Sequence, residues 1–296
     1  MQEIFVQNLP TKKEIEAFLN NYQDLSYHDE IISRATEIAK KVPQVDALFL
    51  LGSLAIKSGD VFSDIDFYVM YENEDVKEEI RTAFMKEINK LGEIIHVSKS
   101  SANPNDVIIF FKPYVKFELA FRSFNVMKNK WKVAESAQLL YDRTGLGKKA
   151  MDHAKQLIFN FNKYDKEIRN VAIALPSFCY IIAGYMTRGE YVTSIDFVAW
   201  IRRLLLRVSG FLLGMRDEGT RKAEQRFPKE LIKFYHESMV SDIKDIWNAL
   251  DVFFKWYVSW LVPKFEEHDI SHANQEVKII KHALMKIKNS WNKSNE

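Results

Sequence analysis

A chain of 296 residues, 47% hydrophobic and 28% charged, with only ten glycines and seven prolines, is long and apolar enough to bury a core. Collagenous, low-complexity and largely disordered classes are excluded. Forty-two lysines and arginines nearly cancel forty acidic residues, so the net charge of +2 spreads no broad field to hold a polyanion, and nucleic acid is not an expected partner. Cys179 stands alone, which leaves no disulfide within the chain and points to a reducing, cytoplasmic setting.

In chain order, the N-terminus has neither a basic leader nor a long apolar run, so no secretory signal is legible. Thr11 followed by Glu14 spells a capping box, and two helices are predicted across residues 12–42. Short β-rich runs follow at 47–51, 64–71, 93–98, 107–111, 115–122 and 138–141. A charged helix at 74–91 interrupts them, with Gly92 expected just past its end. Beyond Gly147 the strand signals stop, and apolar residues recur at helical spacing, as in Ile195, Val198, Ile201, Leu205, Val208 and Leu212. The longest apolar stretch, 171–186, is shorter than the ~20 residues a bilayer requires and contains Pro176; it reads as a buried helix, and no membrane is expected. The fold class is therefore α+β. A mixed β-sheet with flanking helices fills residues 1–145, an all-α helical bundle fills 146–296, and the boundary falls within 142–149.

One stretch carries chemistry. A strand ends in Gly52-Ser53, ten residues intervene, and a second strand opens with Asp64-Ile65-Asp66. Side chains alternate along a strand, so the two aspartates share one face while Ile65, Phe67 and Val69 share the other. Two adjacent carboxylates repel unless a cation lies between them, and a divalent metal such as Mg²⁺, completed by phosphates and water, suits such a pair. Gly52 lets backbone approach a phosphate, Ser53 offers a hydroxyl and an amide, and Lys57 offers a point charge or is simply solvated. In Val115-Lys-Phe-Glu-Leu-Ala-Phe-Arg122 the apolar residues take one face and leave Glu118 on the other, either as a third acid or as the ion-pair partner of Lys116.

Gly52-Ser53, the ten-residue spacer, Ser63-Asp64-Ile65-Asp66 and the later strand around Glu118 resemble the nucleotidyltransferases of the DNA polymerase β type. The resemblance implies that Gly52 and Ser53 bind the triphosphate, that Asp64 and Asp66 hold Mg²⁺, and that Glu118 is a metal ligand or general base. Tyr141-Asp-Arg-Thr-Gly145 and the helical region with Arg188-Gly-Glu-Tyr191 are similar to the lincosamide and aminoglycoside antibiotic nucleotidyltransferases, though several relatives carry Asp where this chain has Glu118. The implied reaction is transfer of a nucleoside monophosphate, AMP from ATP, to a hydroxyl of a small molecule. The abundance of Phe, Tyr and Trp leans toward a lincosamide-like acceptor. Antitoxin-type adenylyltransferases, which modify a partner protein, share the motif and are the alternative.

Four further features have a bland and a sharp reading. Glu190 lines the acceptor site or begins a helix. Arg202, Arg203 and Arg207 form an exposed face, or one of them reaches the phosphates. His268 and His272 have metal-pair spacing without a third ligand. The aromatic run from Trp247 to Trp260 is core, or else a homodimer contact or acceptor wall.

Overall fold

The computed structural model describes residues 9–100, 103 and 105–295. Contacts divide the chain into two compact units, residues 1–157 and 158–296.

The first unit opens with α1 (Lys12–Leu19), where Thr11 and Glu14 form the reciprocal capping box, and α2 (Ser26–Lys40). Six strands follow: β1 (Ala47–Leu51), β2 (Ile65–Tyr71), β3 (Ile94–Lys99), β4 (Val107–Phe111), β5 (Val115–Ser123) and β6 (Ala137–Asp142). They form one sheet in the order β3-β4-β5-β2-β1-β6. The central pair β2 and β5 is parallel and the other neighbours are antiparallel, so the sheet is mixed.

The period-two alternation sorts the sheet into two faces. Leu48, Leu50, Ile65, Phe67, Val69, Phe117, Leu119 and Phe121 pack beneath α2 and α3 (Lys77–Lys86). Ala47, Phe49, Leu51, Tyr68, Met70 and Ala120 pack beneath α4 (Phe124–Met127), α5 (Trp131–Ser136) and α6 (Leu146–Ala154). Helix α6 starts where the sequence reading begins the helical bundle, yet it lies on this sheet. Its Gly147 is so close to β1 and β6 that a Cβ would meet Ala47 and Leu139 at 2.7 Å. Gly92 does not end a helix in the left-handed conformation. The regular α-helix stops at Lys86, a 3₁₀ turn runs over Ile88–Lys90, and Gly92 instead gives room to the Phe111 ring.

The second unit is helical: α7 (Asp165–Thr187), α8 (Tyr191–Leu212), α9 (Ala223–Arg226), α10 (Lys229–Glu237), α11 (Asp245–Trp256), α12 (Val262–Glu267) and α13 (Asn274–Asn295). By length and composition α7 could cross a membrane. Its Ile168, Val171, Ala172, Leu175, Cys179, Ile182, Ala183 and Met186 form one stripe, buried in the core of this unit together with residues of α8 and α11. Trp247, Phe253, Phe254, Trp256 and Tyr257 are buried there as well, which accounts for the aromatic run as core.

Candidate active site

The turn after β1 is built on Gly52, whose φ of +81° lies in the left-handed region that favours glycine. A Cβ here would come within 2.8 Å of Asp66 Oδ2, so the missing side chain leaves space beside that carboxylate. The chain then coils, with Ile56 N donating to Gly52 O at 3.4 Å and Ser58 N to Ser53 O at 2.9 Å. The amides of Ser53, Leu54 and Ala55 find no acceptor among the described residues, the condition in which backbone N–H groups bind anionic oxygens. Ser53 Oγ donates to Ser63 Oγ at 3.1 Å and Asp60 N donates to Ser63 Oγ at 3.0 Å, which fastens the entry of β2 to the turn. Buried His28 in α2 supports the same entry by donating from Nε2 to Ser63 O at 3.1 Å.

Parallel pairing sets Asp66 opposite Glu118, and Asp64 lies just ahead of β2, tied to β5 through Lys116. Two lysines stand among these carboxylates. Lys116 Nζ lies 2.6 Å from Asp64 Oδ2 and 3.9 Å from Glu118 Oε2, while Lys132 Nζ, arriving from α5, lies 2.6 Å from Asp66 Oδ2. Among the described residues, no three acidic, histidine or cysteine side chains form a group that could hold a metal ion. Glu118 is half-buried, and its carboxyl is pushed above the ordinary range first by burial and then by the Asp66 charge, with Lys116 opposing. Beyond it, the Arg122 guanidinium grips buried Asp106 with both terminal nitrogens, and the Tyr68 ring lies between Arg122 and Lys130 at 5.7 and 5.2 Å.

The available donors are carboxylate oxygens, the hard ligands that Mg²⁺ takes, and Gly52 keeps the space beside Asp66 open. The donor chemistry of Asp64, Asp66 and Glu118 thus suits a divalent cation, which would have to displace the two ammonium groups.

Residues 32–133, which include every one of these groups from Gly52 to Lys132, match the family model described as a nucleotidyltransferase domain. The chain carries a nucleotidyltransferase domain of the polymerase-β type. It is accordingly a nucleotidyltransferase. No curated protein sequence matches the chain.

Among solved structures the chain is similar to an aminoglycoside 6-adenyltransferase from Bacillus subtilis (13% identity, TM-score 0.38, 93% of this chain and 99% of that one). It is also similar to a nucleotidyltransferase-like protein from Exiguobacterium sibiricum (13% identity, TM-score 0.38, 80% and 77%). A third likeness is to a STING-associated CdnE c-di-GMP synthase from Capnocytophaga granulosa (11% identity, TM-score 0.30, 93% and 83%). These TM-scores are low, so the likenesses carry no weight for the function.

Within the nucleotidyltransferase domain, Gly52, Ser53, Asp64, Asp66 and Glu118 come together. Lys57 does not join them: its backbone is left-handed, its side chain is exposed, and it pairs with no described carboxylate. Glu190 lies in the second unit at the start of α8, where Arg188 Nε donates to its Oε1 at 2.5 Å and Ser194 N donates to its carbonyl at 3.0 Å. Arg202 donates to Ser238 O, and Arg207 pairs with Glu167 and Asp217. His268 stacks on Phe161, whereas His272 faces Glu266. Sequence reasoning missed Lys132 and gave Lys116 to Glu118 when its nearer partner is Asp64. The available signal was three lysines within 128–132, close after the third-acid strand of a nearly neutral chain.

Proposed function

We propose that the protein transfers the nucleoside monophosphate of a triphosphate, AMP from ATP, to a hydroxyl of a small molecule and releases pyrophosphate. One observation supports this above the rest: Asp66 and Glu118 stand opposite each other on two adjacent parallel strands, with Asp64 just ahead of the first, beside a turn with unpaired amides. The Ser53, Leu54 and Ala55 amides and the Ser53 hydroxyl bind and orient the phosphates. Asp64 and Asp66 hold Mg²⁺, which when bound neutralises charge on the phosphoryl oxygens and the leaving pyrophosphate. Glu118, kept basic by burial and by its acidic neighbour, takes the acceptor's hydroxyl proton at its carboxylate.

The family resemblance leads to a lincosamide or aminoglycoside antibiotic as the acceptor and a resistance function, and the lone Cys179 supports a cytoplasmic location. The near-neutral charge supports a small molecule over nucleic acid.

The test is incubation with each nucleoside triphosphate, Mg²⁺ and a panel of such antibiotics. Pyrophosphate release is followed, and adducts are identified by mass spectrometry. A nucleoside monophosphate adduct on one antibiotic is expected. Modification of a co-purifying protein overturns the small-molecule acceptor, and absence of pyrophosphate release with every triphosphate overturns the reaction.

A further inference from the structure

Lys132 occupies an unusual place. Its ammonium is 2.6 Å from Asp66 Oδ2, and its Cε and Nζ both lie 3.8 Å from where a Cβ on Gly52 would stand, so its tip lies over the phosphate-binding turn. The helix that delivers it is fastened to that same turn. Gly52 N donates to Ser136 O at 2.9 Å, and Ser136 Oγ donates to Lys132 O at 3.2 Å. Helix α5 and the Gly52 turn thus hold each other while the flexible four-carbon stem of Lys132 is left to swing.

The other cations of this face are engaged elsewhere. Lys116 is shared by Asp64 and Glu118, Lys130 lies over Tyr68, and Arg122 is held by Asp106. Lys57, the cation the motif itself suggested, makes no such contact.

We infer that Lys132 is a triphosphate-binding residue that exchanges partners: it holds Asp66 in the resting enzyme and moves to the phosphates when the metal–nucleotide complex arrives. This rests on the nucleotidyl-transfer reading of the site. A carboxylate oxygen bonded to an ammonium at 2.6 Å is not free to take a divalent cation, so metal without nucleotide must compete with Lys132. The triphosphate removes that competition by offering the ammonium new oxygens beside the unpaired Ser53, Leu54 and Ala55 amides. Metal and nucleotide therefore bind cooperatively, and Lys132 is the link between them.

The exchange predicts opposite shifts from one substitution. Mn²⁺ binding to the nucleotide-free protein is read by electron paramagnetic resonance, and binding of a methylene-bridged ATP analogue with Mg²⁺ by calorimetry. Lys132→Met is expected to bind Mn²⁺ about threefold tighter or more, because its competitor is gone, and the Mg²⁺–analogue complex about tenfold weaker or more. Lys132→Arg keeps analogue affinity within about threefold of wild type. If Lys132→Met does not fold by circular dichroism, Lys132→Gln is expected to show the same pair of opposite shifts. Unchanged or weaker Mn²⁺ binding, or unchanged analogue binding, in the folded variant overturns the inference while leaving the reaction intact. A wild-type protein that binds neither ligand overturns the reaction as well.

Discussion

Asp66 is the acid with the most demands on it: it faces Glu118 across the strand pair, borders the space left by Gly52 and accepts from Lys132. Asp66→Asn keeps the shape and the hydrogen bond but loses the charge, so the initial rate of pyrophosphate release should fall at least about a hundredfold. Gly52→Ala meets two obstacles, a left-handed backbone and a carboxylate oxygen 2.8 Å from the new carbon. A loss of about 1–2 kcal/mol in urea denaturation is expected, together with weaker nucleotide binding. His28 brings a pH dependence. Burial lowers its pKa, and the Nδ1 opposite its bond to Ser63 has no partner, so a proton added there is buried and unsatisfied. Its contribution to stability is thus complete above the unfolded value of about 6.5 and is lost as pH falls below it. The melting temperature should drop between about pH 7 and pH 5, and His28→Gln should flatten that drop. At this scale Asp64, Asp66, Glu118 and Gly52 were legible, because strand alternation, turn chemistry and burial cost agree on them. Lys132 was not, since its partner is 66 residues away and no local pattern joins them.

Among the elements, the six strand runs were readable from β-branched and aromatic content, and the observed strands match them to within a residue or two. The helix predicted at 74–91 differed. Only Lys77–Lys86 is regular α-helix, flanked by 3₁₀ turns at Glu74–Val76 and Ile88–Lys90, and Gly92 packs against Phe111 without a left-handed cap. In the helical unit a π-helical turn at Tyr257–Leu261 continues α11, and the Tyr257 hydroxyl donates to Ala172 O and accepts from Ala273 N at 2.9 Å. Ala273 N also donates directly to Ala172 O, so Tyr257→Phe leaves neither backbone group orphaned and should cost about 1 kcal/mol. Tyr257→Ala empties a fully buried site and should cost about 3–5 kcal/mol. Denaturant titration of both variants distinguishes a hydrogen-bond role from a packing one: near-equal losses would show that the hydroxyl, and not the ring, carries the stability.

For the molecule as a whole, each unit has its own apolar core, and Ile158, at the division between them, is 87% exposed. Brief chymotrypsin digestion should therefore cut first near Leu157 and Phe159, leaving two folded fragments identifiable by mass; first cuts inside the sheet or the bundle would contradict this. What the sequence determined alone was whatever repeats with a short period: which runs are strands, which are helices, and which face of β2 and β5 carries the acids. Backbone geometry enforces those periods locally. Only the tertiary structure decided that β2 and β5 are parallel neighbours, that α6 lies on the sheet and that two lysines stand among the carboxylates. Each of these is a contact between distant segments, set by which surfaces bury best together and which charges must be neutralised, and no local period encodes either.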